Sequence, residues 1–373
     1  MNNGLQRNSN YYYVVVVVLA SLSVLNTYSN SHGLYFGKIT LIIGVLFFLL
    51  AIINLFLKGI NSKDIIFLGV ILSVWTITKF NKFFSVPILV ALAFINYTPW
   101  QVIKGYYLAN MICLVITSIL SLLGLSPIIN VVDGVISFGF ANENTLGLFT
   151  LLISLFYTLE IFVLKRETRY FYWKIIFIVF FVLLNNFVTG DRTVILVFLV
   201  FIFFIGIFKL KNKFLIFILK FFGTACPIFL TYISYLFSKN YDSSNFYYSL
   251  NNLLSNRMYM WNWYYHKIPI SWYPSYLKID QFDFWGTIDG SYAYLIFQSG
   301  LVTTLIVCLL LVYCNILLLK NNKNYIFCLL IALEIGAFSE DILQFPAIVL
   351  VMTFAVLTLY PKWIKDSKNE KIF

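Results

Sequence analysis

The chain has 373 residues, of which 61% are hydrophobic and only 11% charged, with a net charge of +11 and a mean hydropathy of +0.87. Soluble domains run about 45–50% apolar and about 25% charged, so this composition excludes an ordinary soluble enzyme. It also leaves too few charges to pave a nucleic-acid-binding face, and no nucleic-acid partner is expected.

A membrane-crossing helix needs about 20 mainly apolar residues. In chain order, the apolar runs predict spans near residues 12–29, 36–57, 65–79, 83–99, 106–124, 144–164, 173–189, 192–208, 214–237, 291–319, 325–339 and 344–360. The expected fold is therefore an all-α polytopic membrane protein with about 12 transmembrane helices. The first run, YYYVVVVVLASLSVLNTYS, lacks a small-residue cleavage pattern and reads as a first span. The runs at 65–79 and 325–339 are short, and NNFVTGDR interrupts an almost continuous apolar stretch across 173–208. Cys113, Cys226, Cys308, Cys314 and Cys328 all lie in apolar runs and none forms a C-x-x-C pair. Buried thiols are expected, not a disulfide framework or a zinc site.

The distribution of charge gives an orientation. Lys and Arg concentrate in alternating connections, KGINSK, KRETRYFYWK, KLKNK and KNNK, and in the tail KWIKDSKNEK. With both termini cytoplasmic, 17 of the 26 Lys and Arg fall inside. Seven fall outside: Lys79, Lys82, Arg192, Lys239, Arg257, Lys267 and Lys278. Most of the acids fall outside. The positive balance is thus a topology signal and not a basic patch.

Two outer connections are long. Residues 125–143 carry no Lys or Arg. Residues 238–290, between the ninth and tenth spans, form the longest polar stretch and are dense in Trp and Tyr. Long loops are usually functional or disordered, and disorder disfavours aromatics. An ordered extracytoplasmic subdomain is expected. Aromatic faces with scattered Asp, Asn and Arg suit sugar rings; an aromatic belt at headgroup level is the alternative. Trp261 and His266 in this stretch, and Tyr292 just beyond it, are candidates to contact substrate.

Two outer arginines go against the orientation rule. Arg192 opens a span in TGDRTVILVFLVFIF, and Arg257 lies in SNRMYMWNWYY. Guanidinium holds phosphate through paired donors, so two of them suit a diphosphate. The plainer readings are an interfacial Arg192 paired with Asp191, and Arg257 as an ordinary loop charge. Asp289, in TIDGSYAYLIFQSGL, sits where it can take a proton from an attacking hydroxyl or cap the next helix. Asn142, Glu143 and Asn144 precede a span and suit either sugar hydroxyls or a helix cap. Glu340 suits a buried carboxylate partner for an arginine, against a solvated turn. Glu334 lies nearer mid-span and suits an internal hydrogen bond. His266 is a weaker rival to Asp289 as a base. The sequence holds no Walker loop, no dinucleotide fingerprint and no metal-ligand spacing, so no cofactor and no metal is implied.

These segments together resemble the bacterial O-antigen polymerase and ligase superfamily, and within it the Wzy-type polysaccharide polymerases. The resemblance rests on order: ANENTLGLF opening a middle span, GDRTVILVFLVF opening a later one, NRMYMW in the large outer loop, then DGSYAYLIFQSGL. It covers about residues 141–305. It implies that Arg192 and Arg257 bind the diphosphate of a lipid-linked glycan donor. The ligase branch carries a His where this chain has Asp289, which favours the polymerase branch. The implied activity is a metal- and nucleotide-independent glycosyl transfer on the outer face of the bacterial cytoplasmic membrane. It joins undecaprenyl-diphosphate-linked repeat units of an O-antigen, capsule or exopolysaccharide. A flippase and a chain-length regulator are the implied assembly partners. A flippase for lipid-linked oligosaccharides is the competing reading, but such transporters usually show two related halves, and this sequence shows none. An O-antigen ligase is a further alternative. Polytopic glycosyltransferases with an acidic first outer loop fit poorly, because that loop here is NSHGLYFG.

Overall fold

Backbone N–H and C=O groups in apolar surroundings need internal partners, and a helix supplies them from its own chain. The computed structural model describes residues 2–32, 45–46, 48–50, 52–53, 62–78, 82–129, 134–140, 142–163, 171–274, 288–343, 349–360 and 363. Among the described residues there are helices and turns but no strand. The helices are α1 (Asn2–Ser31), α2 (Ser62–Ile77), α3 (Lys82–Phe94), α4 (Pro99–Leu122), α5 (Glu143–Val163), α6 (Phe171–Thr189), α7 (Arg192–Leu210) and α8 (Lys213–Asn240). Two short helices follow, α9 (Asn245–Leu253) and α10 (Arg257–Lys267). Then come α11 (Ser291–Tyr294) with a π turn (Leu295–Ser299), α12 (Gly300–Lys320), α13 (Asn324–Gly336) and α14 (Leu350–Thr358).

Six helical stretches among the described residues are long and apolar enough to cross a membrane: Tyr11–Ser29, Pro99–Leu122, Glu143–Phe162, Arg192–Leu210, Lys213–Ser243 and Ser291–Lys320. The spans expected near 65–79, 83–99, 173–189 and 325–339 are shorter apolar helices. The span expected at 36–57 lies mostly outside the described residues, and the one at 344–360 is described only from residue 349. The chain is thus an all-helical protein of membrane type.

Local chemistry explains several boundaries. Chain reversal after α3 is fixed by Thr98, whose hydroxyl accepts from Gln101 N at 3.3 Å while Gln101 Oε1 accepts from Thr98 N at 3.0 Å. This capping box, with Pro99 in the first turn, starts α4 seven residues before the apolar run suggests. The 238–290 stretch is partly helical through α9 and α10, while residues 275–287 are outside the description. The expected span 291–319 is interrupted. Gly300 leaves the helical region at φ +82°, and a Cβ there would lie 2.6 Å from the Tyr273 carbonyl carbon. The N–H groups of Leu301 and Val302 donate to Ser271 O and Trp272 O instead of to the preceding turn.

The core is built by close helix approach. α14 is buried on every side from Leu350 to Thr358, and Tyr106 on α4 meets Thr353 at 2.7 Å. Pro227 inside α8 supplies no N–H, which frees the carbonyl of Gly223. The Asn315 amide on α12 reaches that carbonyl at 3.5 Å and also donates to Glu334 Oε1 at 3.1 Å. Gly223 lets α13 come close, since a Cβ there would meet Ile331 Cδ1 at 2.3 Å.

Connections sort to two ends. At one end Trp363 donates to Tyr97 O at 2.7 Å, Lys209 sits 4.0 Å over the Phe162 ring, and Trp100, Leu159 and Asn322–Ile326 line a small cavity. At the other end His32 contacts Leu125 O at 3.0 Å, and the starts of α5, α7, α10 and α11 meet the turn after α13.

Candidate functional site

The second end gathers charged residues that lie far apart in sequence. α7 begins with Asp191 as its N-cap, the carboxylate accepting from Thr193 N at 2.9 Å. This turns Thr193 inward, where its hydroxyl donates to Glu340 Oε1 at 3.1 Å and lies 3.3 Å from Ser339 Oγ. Gly147 on α5 gives Asp191 its space, because a Cβ there would stand 2.7 Å from Asp191 Oδ2.

α10 delivers the guanidinium. Ser255 and Asn256 both take positive φ, at 52° and 64°, which turns the chain sharply into Arg257. Asn251, itself buried, holds this turn by donating to Asn256 Oδ1 and accepting from Tyr259 N, each at 3.0 Å. Arg257 is 5% exposed. Its Nη2 donates to Glu340 Oε1, and its Nε lies 3.9 Å from Asp289 Oδ2.

α11 and the turn after α13 complete the cluster. Ser291 N donates to Ala337 O and Glu340 O at 2.9 and 3.2 Å. Ser291 Oγ donates to Glu340 O at 2.9 Å and accepts from Leu343 N at 3.0 Å. These bonds fix the backbone that carries Glu340. Gly290, at φ +96°, passes too close to Phe338 O and the Trp261 ring for any side chain. Asp289 does not cap the helix. The N-cap is Gly290, which leaves the Asp289 carboxylate to Arg257.

Two carboxyls, of Asp289 and Glu340, contact one buried guanidinium, and Asp191 lies within its electrostatic reach. Burial pushes the Glu340 carboxyl up to about 8 against the pull of Arg257, and Asp191 and Asp289 add to the rise. Burial also raises Asp191, opposed by the Thr193 N–H and by Arg257. Asp289 keeps 39% of its side chain open, yet crowding at the carboxyl raises it too, with Arg257 opposing.

The other expected site residues lie elsewhere. Arg192 is exposed at the start of α7, and among the described residues it makes no ion pair, with Asp191 or any other acid. Asn142 caps α5, its Oδ1 accepting from Thr145 N at 2.8 Å and Thr145 Oγ1 at 2.7 Å. Glu143 and Asn144 are half-buried in the first turn of that helix. Trp261 and Tyr292 present no ring face to a sugar, because both are fully buried. Trp261 stands edge-on to Phe338 and donates to Asp289 O at 2.6 Å, so its role is to hold Asp289. The spacing of Arg257, Trp261, Tyr264 and Ile268 follows one inward helical face, and that is why the tryptophan is inside. His266 is on the exposed side, 3.9 Å from Asp242 and pointed away from the cluster.

Thr193, Ser291 and Ser339 are the participants that a reading of charges and aromatics misses. Thr193 and Ser291 had a signal, since each follows a candidate acid by two residues at a helix start.

Fold and site together define a membrane-type helical protein with a buried arginine–carboxylate centre at one end. Comparison with protein-family models, with curated proteins and with solved structures finds no match to this chain.

Proposed function

We propose that this chain is a polysaccharide polymerase of the bacterial cytoplasmic membrane, with about 12 spans, both termini cytoplasmic and the arginine centre on the outer face. The observation that carries the reading is the buried Arg257 guanidinium with the partly open Asp289 carboxylate 3.9 Å from it. A buried ionisable group beside a partly open carboxylate is costly to maintain and marks a functional-site candidate. The described basic connections KLKNK and KNNK lie at the end opposite the arginine centre, which supports the orientation. Asp191 and Thr193 of GDRTVILVFLVF, Arg257 of NRMYMW and Asp289 of DGSYAYLIFQSGL meet there, three of the motifs on which the polymerase resemblance rests.

In this reading the donor is a growing glycan on undecaprenyl diphosphate. The acceptor is the terminal sugar of an incoming lipid-linked repeat unit. Its hydroxyl oxygen bonds to the anomeric carbon of the donor, the bond from that carbon to the diphosphate oxygen breaks, and Asp289 takes the hydroxyl proton. Arg257 carries the charge that develops on the leaving diphosphate, and Arg192, exposed at the start of α7, is the second cation that the resemblance implies. Holding two lipid-anchored substrates side by side supplies much of the remaining acceleration. The test is incubation of purified protein with a defined lipid-linked repeat unit. A ladder of longer glycans supports the polymerase. Transfer of the unit across a vesicle without lengthening supports a flippase instead.

A further inference from the structure

The polymerase reading leaves a charge problem at its centre, and the solution lies in Glu340. A diphosphate meets fewer opposing charges at Arg257 when one of the neighbouring carboxyls is neutral. Yet Glu340 accepts a hydrogen bond from Arg257 inside the protein, 4% exposed, and Asp191 and Asp289 face the same guanidinium. Three ionised carboxylates around one buried cation would leave two negative charges uncompensated, and like charges in a shared buried site cannot all ionise. One carboxyl has to carry a proton. Asp289 is the most open of the three and stays charged most easily. Asp191 accepts a backbone N–H at a helix start, which favours its charged form. Glu340 caps no helix and is 4% exposed, and its burial outweighs the pull of Arg257. Among the described residues, the bonds that its carboxyl accepts, from Arg257 and from Thr193, both fall on Oε1.

We infer that Glu340 works as a neutral acid, a positioning residue that holds Arg257 in place while adding no negative charge to the centre that a diphosphate binds. This rests on the polymerase reading only for the identity of the anion. The raised Glu340 carboxyl is consistent with it. Loss of that proton at high pH turns the positioning group into a competitor for Arg257.

The test uses full-length protein and inorganic pyrophosphate as the probe, with binding measured by calorimetry at pH 6.5 and pH 9. Pyrophosphate itself titrates over this range, so the quantity of interest is the ratio of Glu340→Gln to wild-type affinity. At pH 6.5 the two are expected to agree within about twofold. At pH 9 Glu340→Gln is expected to bind several-fold tighter, because rising pH removes the Glu340 proton and the Gln side chain cannot ionise. Glu340→Ala, also neutral, is the second variant. It is expected to bind more weakly than Glu340→Gln at both pH values but with the same pH slope. A ratio that does not change with pH overturns the inference, and so does pyrophosphate binding that Glu340→Gln weakens at pH 6.5. The two proposals separate cleanly. Pyrophosphate binding with this pH pattern but no glycan ladder leaves the inference standing and removes the polymerase. Ladders from a protein whose Glu340→Gln variant follows the wild-type slope do the reverse.

Discussion

Arg257 and Glu340, separated by 83 residues in sequence, form a buried hydrogen-bonded pair that ties α10 to the turn after α13. The magnitude of that tie depends on charge. Stranding an ionised carboxylate by removing its partner costs about 3–5 kcal/mol. Losing hydrogen bonds to a neutral acid costs about 1–3 kcal/mol. Arg257→Gln is expected to fall in the lower range at pH 7, read from unfolding of the detergent-solubilised protein. A loss in the upper range indicates an ionised Glu340.

Stability should also depend on pH, with a definite sign. Burial pushes the Glu340 carboxyl up to about 8 in the folded chain, against an ordinary value of 4.5. Between those values the folded state binds more protons than the unfolded state, so stability falls as pH rises from about 4.5 to about 8. Glu340→Gln removes its share of that fall. The wild type is expected to lose more melting temperature than Glu340→Gln between pH 5 and pH 8. Parallel curves contradict this.

The approach of Asp289 to Arg257 depends on Gly290. A Cβ there would lie 2.6 Å from Phe338 O and 2.9 Å from Trp261 Cζ2, at φ +96°. Gly290→Ala therefore combines a left-handed backbone cost of roughly 1–2 kcal/mol with overpacking of about 1–3 kcal/mol. Gly190→Ala is the control. Its φ is +68° and nothing lies within 4 Å, so only the backbone cost of roughly 1–2 kcal/mol applies. Equal thermal destabilisation by the two variants would show that the Trp261–Phe338 contact has no part.

Much of this was legible in the sequence, and the exceptions have physical causes. Apolar runs locate the helices because membrane-type helices are defined by length and hydropathy, and GDRT locates the start of α7 because Asp191 caps it. The break at Gly300 is invisible locally. Apolar residues continue on both sides, and the cause is the Tyr273 backbone passing beside it from another segment. Arg257 stands out as an unusual charge, but its burial depends on Glu340 arriving from 83 residues away. Trp261 reads as a sugar platform by residue type alone. Its place on the inward face of α10 makes it a support for Asp289 instead.

Asp289 has its own test. As the proton acceptor it must be ionised, so elongation should rise with pH through a titration above the usual carboxylate range. Asp289→Asn is expected to lower turnover by about 10²–10⁴-fold and to flatten that limb of the profile. Near-normal turnover removes Asp289 as the base.

The glycan ladder assay with Arg257→Ala and Arg192→Ala bears most directly on the central claim. Each variant is first shown to insert in the membrane, then supplied with a defined lipid-linked repeat unit. The account predicts long ladders from the wild type and no chain elongation from either variant. Ladders of normal length from both variants would contradict it.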